Sequence, residues 1–206
     1  MTRRASPTRF AAPVVLAADP PWLFRDKLPG KRRGASANYR CITLEEIKAF
    51  RLPRQVVSAP DAVLFLWRVS AMEQEALDVA RAWGFSPYGE LIWQKMTKHG
   101  KEHFGMGRIF RASHETCLVA VRGRVIPAVH DVRSTFRAPV GLHSEKPAAF
   151  YRVIERLYPD AHRYEIFARR PRVGWAQWGN ELGALEHEQL SMAIGEGDDD
   201  GDKQAV

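Results

Sequence analysis

Asp19-Pro20-Pro21-Trp22 concentrates more chemistry than any other stretch of the chain. The two prolines lack backbone N–H donors and fix φ twice. Their carbonyls are thereby expected to be unused and rigidly aimed. One carboxylate, one aimed carbonyl and one flat indole suit an aromatic amine such as the exocyclic NH2 of adenine. The tetrapeptide follows the apolar run Val14-Val15-Leu16-Ala17-Ala18. That run reads as a buried strand, too short to span a membrane. An acid at the end of such a strand sits where open α/β sheets bind ligands.

Further blocks follow in order. They are Leu64-Phe65-Leu66-Trp67, Leu91-Ile92-Trp93-Gln94-Lys95, His114-Glu115-Thr116-Cys117-Leu118-Val119 and His143-Ser144-Glu145-Lys146-Pro147. Glu165-Ile166-Phe167-Ala168-Arg169 and Gly174-Trp175 through Trp178-Gly179-Asn180-Glu181 complete the set. Together with Asp-Pro-Pro-Trp, this series resembles the DPPW-type S-adenosylmethionine-dependent N6-adenine methyltransferases. That branch holds the catalytic subunit of the eukaryotic mRNA adenosine methyltransferase and smaller bacterial and phage relatives. A lone Asp-Pro-Pro would carry little weight, since such sequences mark turns; the ordered set spans most of the chain.

The resemblance implies a Rossmann-like class I methyltransferase fold in permuted order, with the catalytic half before the cofactor half. It implies a catalytic Asp19-Pro20-Pro21-Trp22, with Trp22 walling the base pocket. For the cofactor it implies Asp19 near the methionine amino group and Lys146 at the methionine carboxylate. Arg169 would meet the ribose, and Asn180 and Glu181 the ribose or adenine. Arg172 is a weaker match, and Ala168 stands where relatives often carry Gly. Tyr39 would flank the target adenine, and Lys95 would touch substrate or cofactor. The compact size favours the bacterial or phage type and DNA as substrate. The same chemistry on RNA and an inactive nucleic-acid-binding partner subunit stay open, as does a homodimer.

The chain has 206 residues and a net charge of +7. From Leu182 onward there are seven acidic residues and one basic, so the first 181 residues carry +13. A basic body suits a polyanion. Residues 1–12 read as a flexible basic arm, 13–181 as the methyltransferase domain and 182–206 as an acidic, disordered tail. No apolar stretch resembles a membrane span or secretory signal. Cys41 and Cys117 sit in unrelated contexts and suggest neither disulfide nor zinc site. A cytoplasmic protein is expected.

The elements that must position these residues alternate. Strands are expected at 14–18, 62–67, 90–94, 115–121 and 164–168. A capping box, Thr43-Leu44-Glu45-Glu46, opens a short helix to about Phe50. Helices are also expected at 71–83 and from Pro147 to about Leu157. This alternation predicts an α/β fold, its mainly parallel sheet covered on both faces. Residues 23–41 and 95–112 are long basic loops at the carboxyl edge, and 122–146 reads as irregular. Trp67 and Trp93 read as core. His114 and Glu115 face opposite ways on a strand and read as structural, Glu115 bracing the site. His99, His103 and His143 lack ligand spacing, so no metal is expected.

Lys31, Arg32, Arg33, Lys98, Lys101 and Arg108 in the loops are expected to contact phosphates. Neutralising several should weaken binding at all sequences. The log–log salt slope should flatten by about 0.7–0.9 per lost contact. Titrations across a salt series test this; an unchanged slope would show charges that only solubilise the domain.

Overall fold

The computed structural model describes residues 12–24, 41–107, 109–141 and 145–179. In chain order its elements are β1 (Val14–Ala18), α1 (Leu44–Lys48), α2 (Arg54–Ser58), β2 (Ala62–Arg68), α3 (Glu73–Ala82) and β3 (Ser86–Met96). They continue with β4 (His114–Arg122), β5 (Thr135–Pro139), α4 (Ala148–Leu157), β6 (His162–Ile166) and β7 (Ala176–Trp178).

β1 is apolar without interruption because both its faces are covered. Val14, Leu16 and Ala18 join one cluster with Ile47 of α1, Val56 of α2 and Val79 of α3. Val15 and Ala17 join the other, with Phe150 and Ile154 of α4. The strands form one seven-stranded sheet in the order β5-β3-β4-β2-β1-β6-β7. β1 pairs in parallel with β2 on one side and β6 on the other. Only β4 is inverted, antiparallel to β2 and to β3. The sheet is thus the expected mainly parallel one with helices on both faces. The Asp19 strand precedes the β6 half in sequence and lies beside it in space. Strand order reverses at β1, which makes its carboxyl end a topological switch point.

Several boundaries differ from expectation. β6 covers 162–166 rather than 164–168, because its register is set by parallel pairing of Val14 with His162 through Ala18 with Ile166. Phe167 then leaves the strand with φ at 62°. α2 is a single turn after Pro53, and β5 and β7 are short strands added by pairing with β3 and β6. Local sequence announces none of the three. β3 begins four residues early and carries an irregularity between Pro87 and Gly89. α1 has the expected capping box: the Glu46 amide donates to Thr43 Oγ1 and the Thr43 amide to a Glu46 carboxylate oxygen. Pro147 caps α4 rather than forming its first turn. The basic arm, apart from Ala12, and the acidic tail lie outside the described residues.

Phe150 ties α4 to the sheet. Its ring packs edge-on to Phe65 at 6.1 Å and tilted against Trp67 at 4.9 Å. Phe150→Ala should cost about 3–5 kcal/mol of stability, the range for emptying a buried aromatic site. Chemical denaturation measures it; a loss within experimental error would mean α4 is held elsewhere.

Candidate active site

Four charged side chains from four elements meet at the carboxyl edge. Asp19 follows β1, Lys146 precedes the cap of α4, Glu115 lies in β4 and Lys95 in β3. Lys146 Nζ donates to Asp19 Oδ2 at 2.6 Å and stands 3.4 Å from Glu115 Oε2. Lys95 Nζ lies 2.6 Å from Glu115 Oε1. The result is an alternating series, Asp19–Lys146–Glu115–Lys95, with no net charge. Aromatic rings floor it: Lys146 Nζ is 5.1 Å from the Trp67 ring centroid and Lys95 Nζ 5.4 Å from that of Trp93. Both rings are buried, as expected.

Glu115 reaches this edge because β4 is inverted. In a strand running with the others, its position near the start would lie at the amino edge. Burial opposes ionisation of Glu115, but the Lys146 and Lys95 ammoniums outweigh it and hold its carboxyl below the usual range. Burial likewise disfavours the Lys146 ammonium. Asp19 and Glu115 overcome that effect and hold it above the usual lysine range, while Arg169 pushes the other way. Arg169 therefore lies within electrostatic reach of Lys146.

Two readings of the tetrapeptide are corrected. Trp22 is 5% exposed, packed in the core, with its indole N–H donating to the Trp67 carbonyl at 2.9 Å. It braces the turn instead of offering a face to a base. The prolyl carbonyls are not unused either: Pro20 O accepts from the Trp22 amide at 2.8 Å and Pro21 O from the Ile42 amide at 3.0 Å. A carbonyl has two lone pairs, so each keeps one acceptor site. The contacts fix their direction.

Beside Asp19, β6 and α4 share a second polar cluster. Tyr151 donates to Glu165 Oε1 at 2.6 Å, Gln177 Nε2 donates to Glu165 Oε2 at 2.6 Å, and the Arg172 guanidinium stacks 3.5 Å from the Tyr151 ring centroid. Burial pushes the Glu165 carboxyl above its ordinary range, against the lowering effect of these hydrogen bonds. The turn after β6 is held in place: Phe167 packs on Phe50 with ring centroids 4.8 Å apart, and the Ala168 amide donates to Trp178 O at 2.9 Å. The left-handed residue is Phe167, not Ala168. A side chain on Gly179 would run into the Ala168 backbone, so the β7 end closes tightly on this turn.

Asp19, Lys95 and Lys146 are thus brought together, with Arg169 in reach. Lys98 and Lys101 are exposed in the turn after β3. Lys31, Arg32, Arg33, Tyr39, Arg108, Asn180 and Glu181 lie outside the described residues. The central acid Glu115, read in sequence as a brace, joins both lysines. A groove of about 660 Å³, lined in part by Pro13, Ile126 and Leu157, lies at the opposite, amino edge. Among the described residues, no group of His, Cys, Asp and Glu is placed to hold a metal ion, and no helix is long and apolar enough to cross a membrane.

Glu115 carries a pH signature. Its folded pKa is depressed, so its contribution to stability is present above the ordinary glutamate range and is lost as pH falls through the folded value. Glu115→Gln should remove that acid limb. It should also cost about 1–3 kcal/mol at neutral pH, because the amide keeps one acceptor oxygen but no negative charge and leaves Lys95 and Lys146 undercompensated at a partly buried site. Denaturation midpoints across pH measure this; coincident acid limbs for the two proteins would mean that Glu115 is not held ionised by its neighbours.

Comparison with known proteins agrees with this architecture. The MT-A70 family pattern matches residues 13–181. The Type II methyltransferase M.MunI of Mycoplasma sp is 28% identical over 187 residues, covering 82% of this chain and 77% of that protein. The mouse N(6)-adenine-specific methyltransferase METTL4 is 26% identical over 200 residues, 89% of this chain but 40% of its own length. The human N(6)-adenosine-methyltransferase catalytic subunit METTL3 is 29% identical over 200 residues, 84% of this chain and 28% of its own length. The family match takes in every strand of the sheet and the whole Asp19 edge; the chain belongs to the MT-A70 family, N6-adenine methyltransferases of the class I fold that use S-adenosylmethionine.

Proposed function

We infer that this domain moves a methyl group from S-adenosylmethionine to the exocyclic amine of adenine in DNA. One observation carries the reading: the Asp19–Lys146 pair, 2.6 Å apart, at the switch point of the sheet. A carboxylate and an ammonium side by side match, with signs reversed, the amino and carboxylate groups of an amino-acid zwitterion. The donor set therefore fits the methionine end of the cofactor. Lys146 would hold its carboxylate, Asp19 its amino group and Arg169 its ribose, where a forked donor suits vicinal oxygens. Asn180 and Glu181 complete the proposed set. When bound, S-adenosylmethionine supplies an electrophilic methyl carbon.

The chain's own residues deal with the amine. An adenine NH2 delocalises its lone pair into the ring and is a poor nucleophile. Hydrogen bonds from that NH2 to the Asp19 carboxylate and to the remaining acceptor site of the Pro20 carbonyl would favour a tetrahedral nitrogen. The lone pair would then point at the methyl carbon. Positioning and electrostatics do most of the work, and the methylated nitrogen loses its extra proton afterwards. The Trp22 indole acts through the backbone it braces. Tyr39 is proposed as the aromatic surface for an unstacked base, with Lys95 at the substrate edge.

The DNA assignment is supported by the similarity to the Type II methyltransferase M.MunI, of whose length the matched region covers 77%. The intact acid–lysine pair argues against an inactive partner subunit. The reading keeps 1–12 as an arm, 13–181 as the domain and 182–206 as a tail, supported by the extent of the family match. It includes a cytoplasmic setting and a homodimer; sedimentation reads the oligomeric state.

Labelled methyl transfer to DNA and RNA oligonucleotides tests the assignment. Transfer to RNA alone would replace the DNA reading. Asp19→Ala should lower turnover by about 10²–10³ while the protein stays folded, the scale for losing a preorganised group at the reacting atom. Asp19→Asn keeps the shape and one acceptor and should retain partial activity. Near-normal adenine methylation by Asp19→Ala would overturn the mechanism.

A further inference from the structure

The segment between β3 and β4 exposes four large apolar side chains: Phe104, Met106, Ile109 and Phe110, each between 77 and 86% exposed. Scattered apolar residues are normal on a surface; four on one short loop mark an interaction site. The loop is also narrow. A side chain on Gly105 would run into the Ala112 carbonyl, and one on Gly107 into the Phe110 carbonyl. The two arms therefore touch backbone to backbone, and the apolar groups line a thin finger. Arg111 lies over Phe104, its guanidinium 5.1 Å from the ring centroid.

The finger is rooted in the active site. Residues 97–101 turn back on β3, with the Thr97 amide donating to Lys101 O at 2.7 Å and Met96 bridging Glu102. Beyond that turn the His103 amide donates to Lys95 O at 2.9 Å, while the Lys95 amide donates to Ser113 O at 2.8 Å. Both ends of the finger thus hang on the two backbone groups of Lys95. The Lys95 side chain is the last member of the series that begins at Asp19.

Charge selects the occupant. Lys98, Lys101 and Arg111 are exposed around the finger. Its one acid, Glu102, accepts a hydrogen bond from Gln94 at 2.8 Å. A second copy of this surface would bring like charges together, whereas a polyanion would neutralise them. Phe, Met and Ile are the residue types that enter between base steps and unstack them.

We propose that this finger is a wedge for duplex DNA. Lys98, Lys101 and Arg111 grip phosphates while Ile109 and Phe110 enter the base stack beside the target and hold the gap left by an extruded adenine. Opening is needed only for paired substrate, because a base in single-stranded DNA is already accessible. The proposal rests on the adenine methyltransferase reading and adds how that site reaches a paired base.

The test compares wild type with an Ile109→Ser, Phe110→Ser double variant, using labelled methyl transfer to unmethylated duplex DNA and to the same DNA after heat denaturation. The variant should lose about tenfold or more on duplex, the scale of one lost apolar anchor. On denatured DNA it should stay within about twofold, as for surface changes elsewhere. Its thermal midpoint should match wild type, since the replaced side chains are exposed. Equal rates on duplex, or equal losses on both substrates, would overturn the wedge. So would wild-type transfer confined to denatured DNA. A dimer that becomes monomeric in the variant by sedimentation would assign the patch to a second copy and overturn it too. Wild type inactive on both DNAs would instead sink the DNA methyltransferase reading, a failure distinguishable from that of the wedge.

Discussion

A lysine ammonium taken out of water must be matched by negative charge or give up its proton. Lys146, its side chain 10% exposed, meets this constraint with two carboxylates, and the architecture of the carboxyl edge follows from it. Asp19 alone would balance the Lys146 charge but would itself be fully committed. Glu115 shares the load and is balanced in turn by Lys95. The series is neutral, yet Asp19 and Lys146 can each exchange the other for a ligand group of the same sign. Such a site can be internally balanced and still suit a zwitterion.

That arrangement depends on layers beneath it. Trp67 lies under Lys146 and packs against Phe150 of α4 on the same face of the sheet. Its carbonyl also receives the Trp22 indole from the other cluster. One β2 residue therefore supports the lysine from below and ties down the turn that carries Asp19. Precise placement of catalytic groups requires such support, since a misplacement of about 1 Å can cost about 10²-fold in rate. The β6 side is held as firmly: Glu165, Tyr151 and Gln177 satisfy one another in a partly buried network, and Phe167 keeps a left-handed backbone against Phe50. A bulky residue in that conformation costs energy and persists only where its surroundings over-determine it.

The chain sequence already contained much of this. Covered strands are apolar on both faces, so β1 and β2 could be read as buried runs, and Thr43 with Glu46 marked the start of α1. Asp19, Lys146 and Lys95 could be named because each lies in a recognisable block. Where the structure departs from expectation, the causes are physical. An indole after two prolines can face a pocket or the core, and only packing decides for Trp22. The partners of the prolyl carbonyls, the amides of Trp22 and Ile42, are fixed by how the turn folds. α2, β5 and β7 are too short for periodicity and exist through pairing or capping by distant residues.

By itself, then, the sequence determined which residues can do chemistry and which strand ends they occupy, because residue type and hydrophobic period are local properties. The tertiary structure alone decided which of them meet. Inverting β4 moves Glu115 from the far edge to the centre of the charge series. Pinning Ser113 and His103 to Lys95 hangs an apolar finger beside that same site. Both outcomes are set by strand direction and long-range hydrogen bonding, and neither of these is written in the neighbours along the chain.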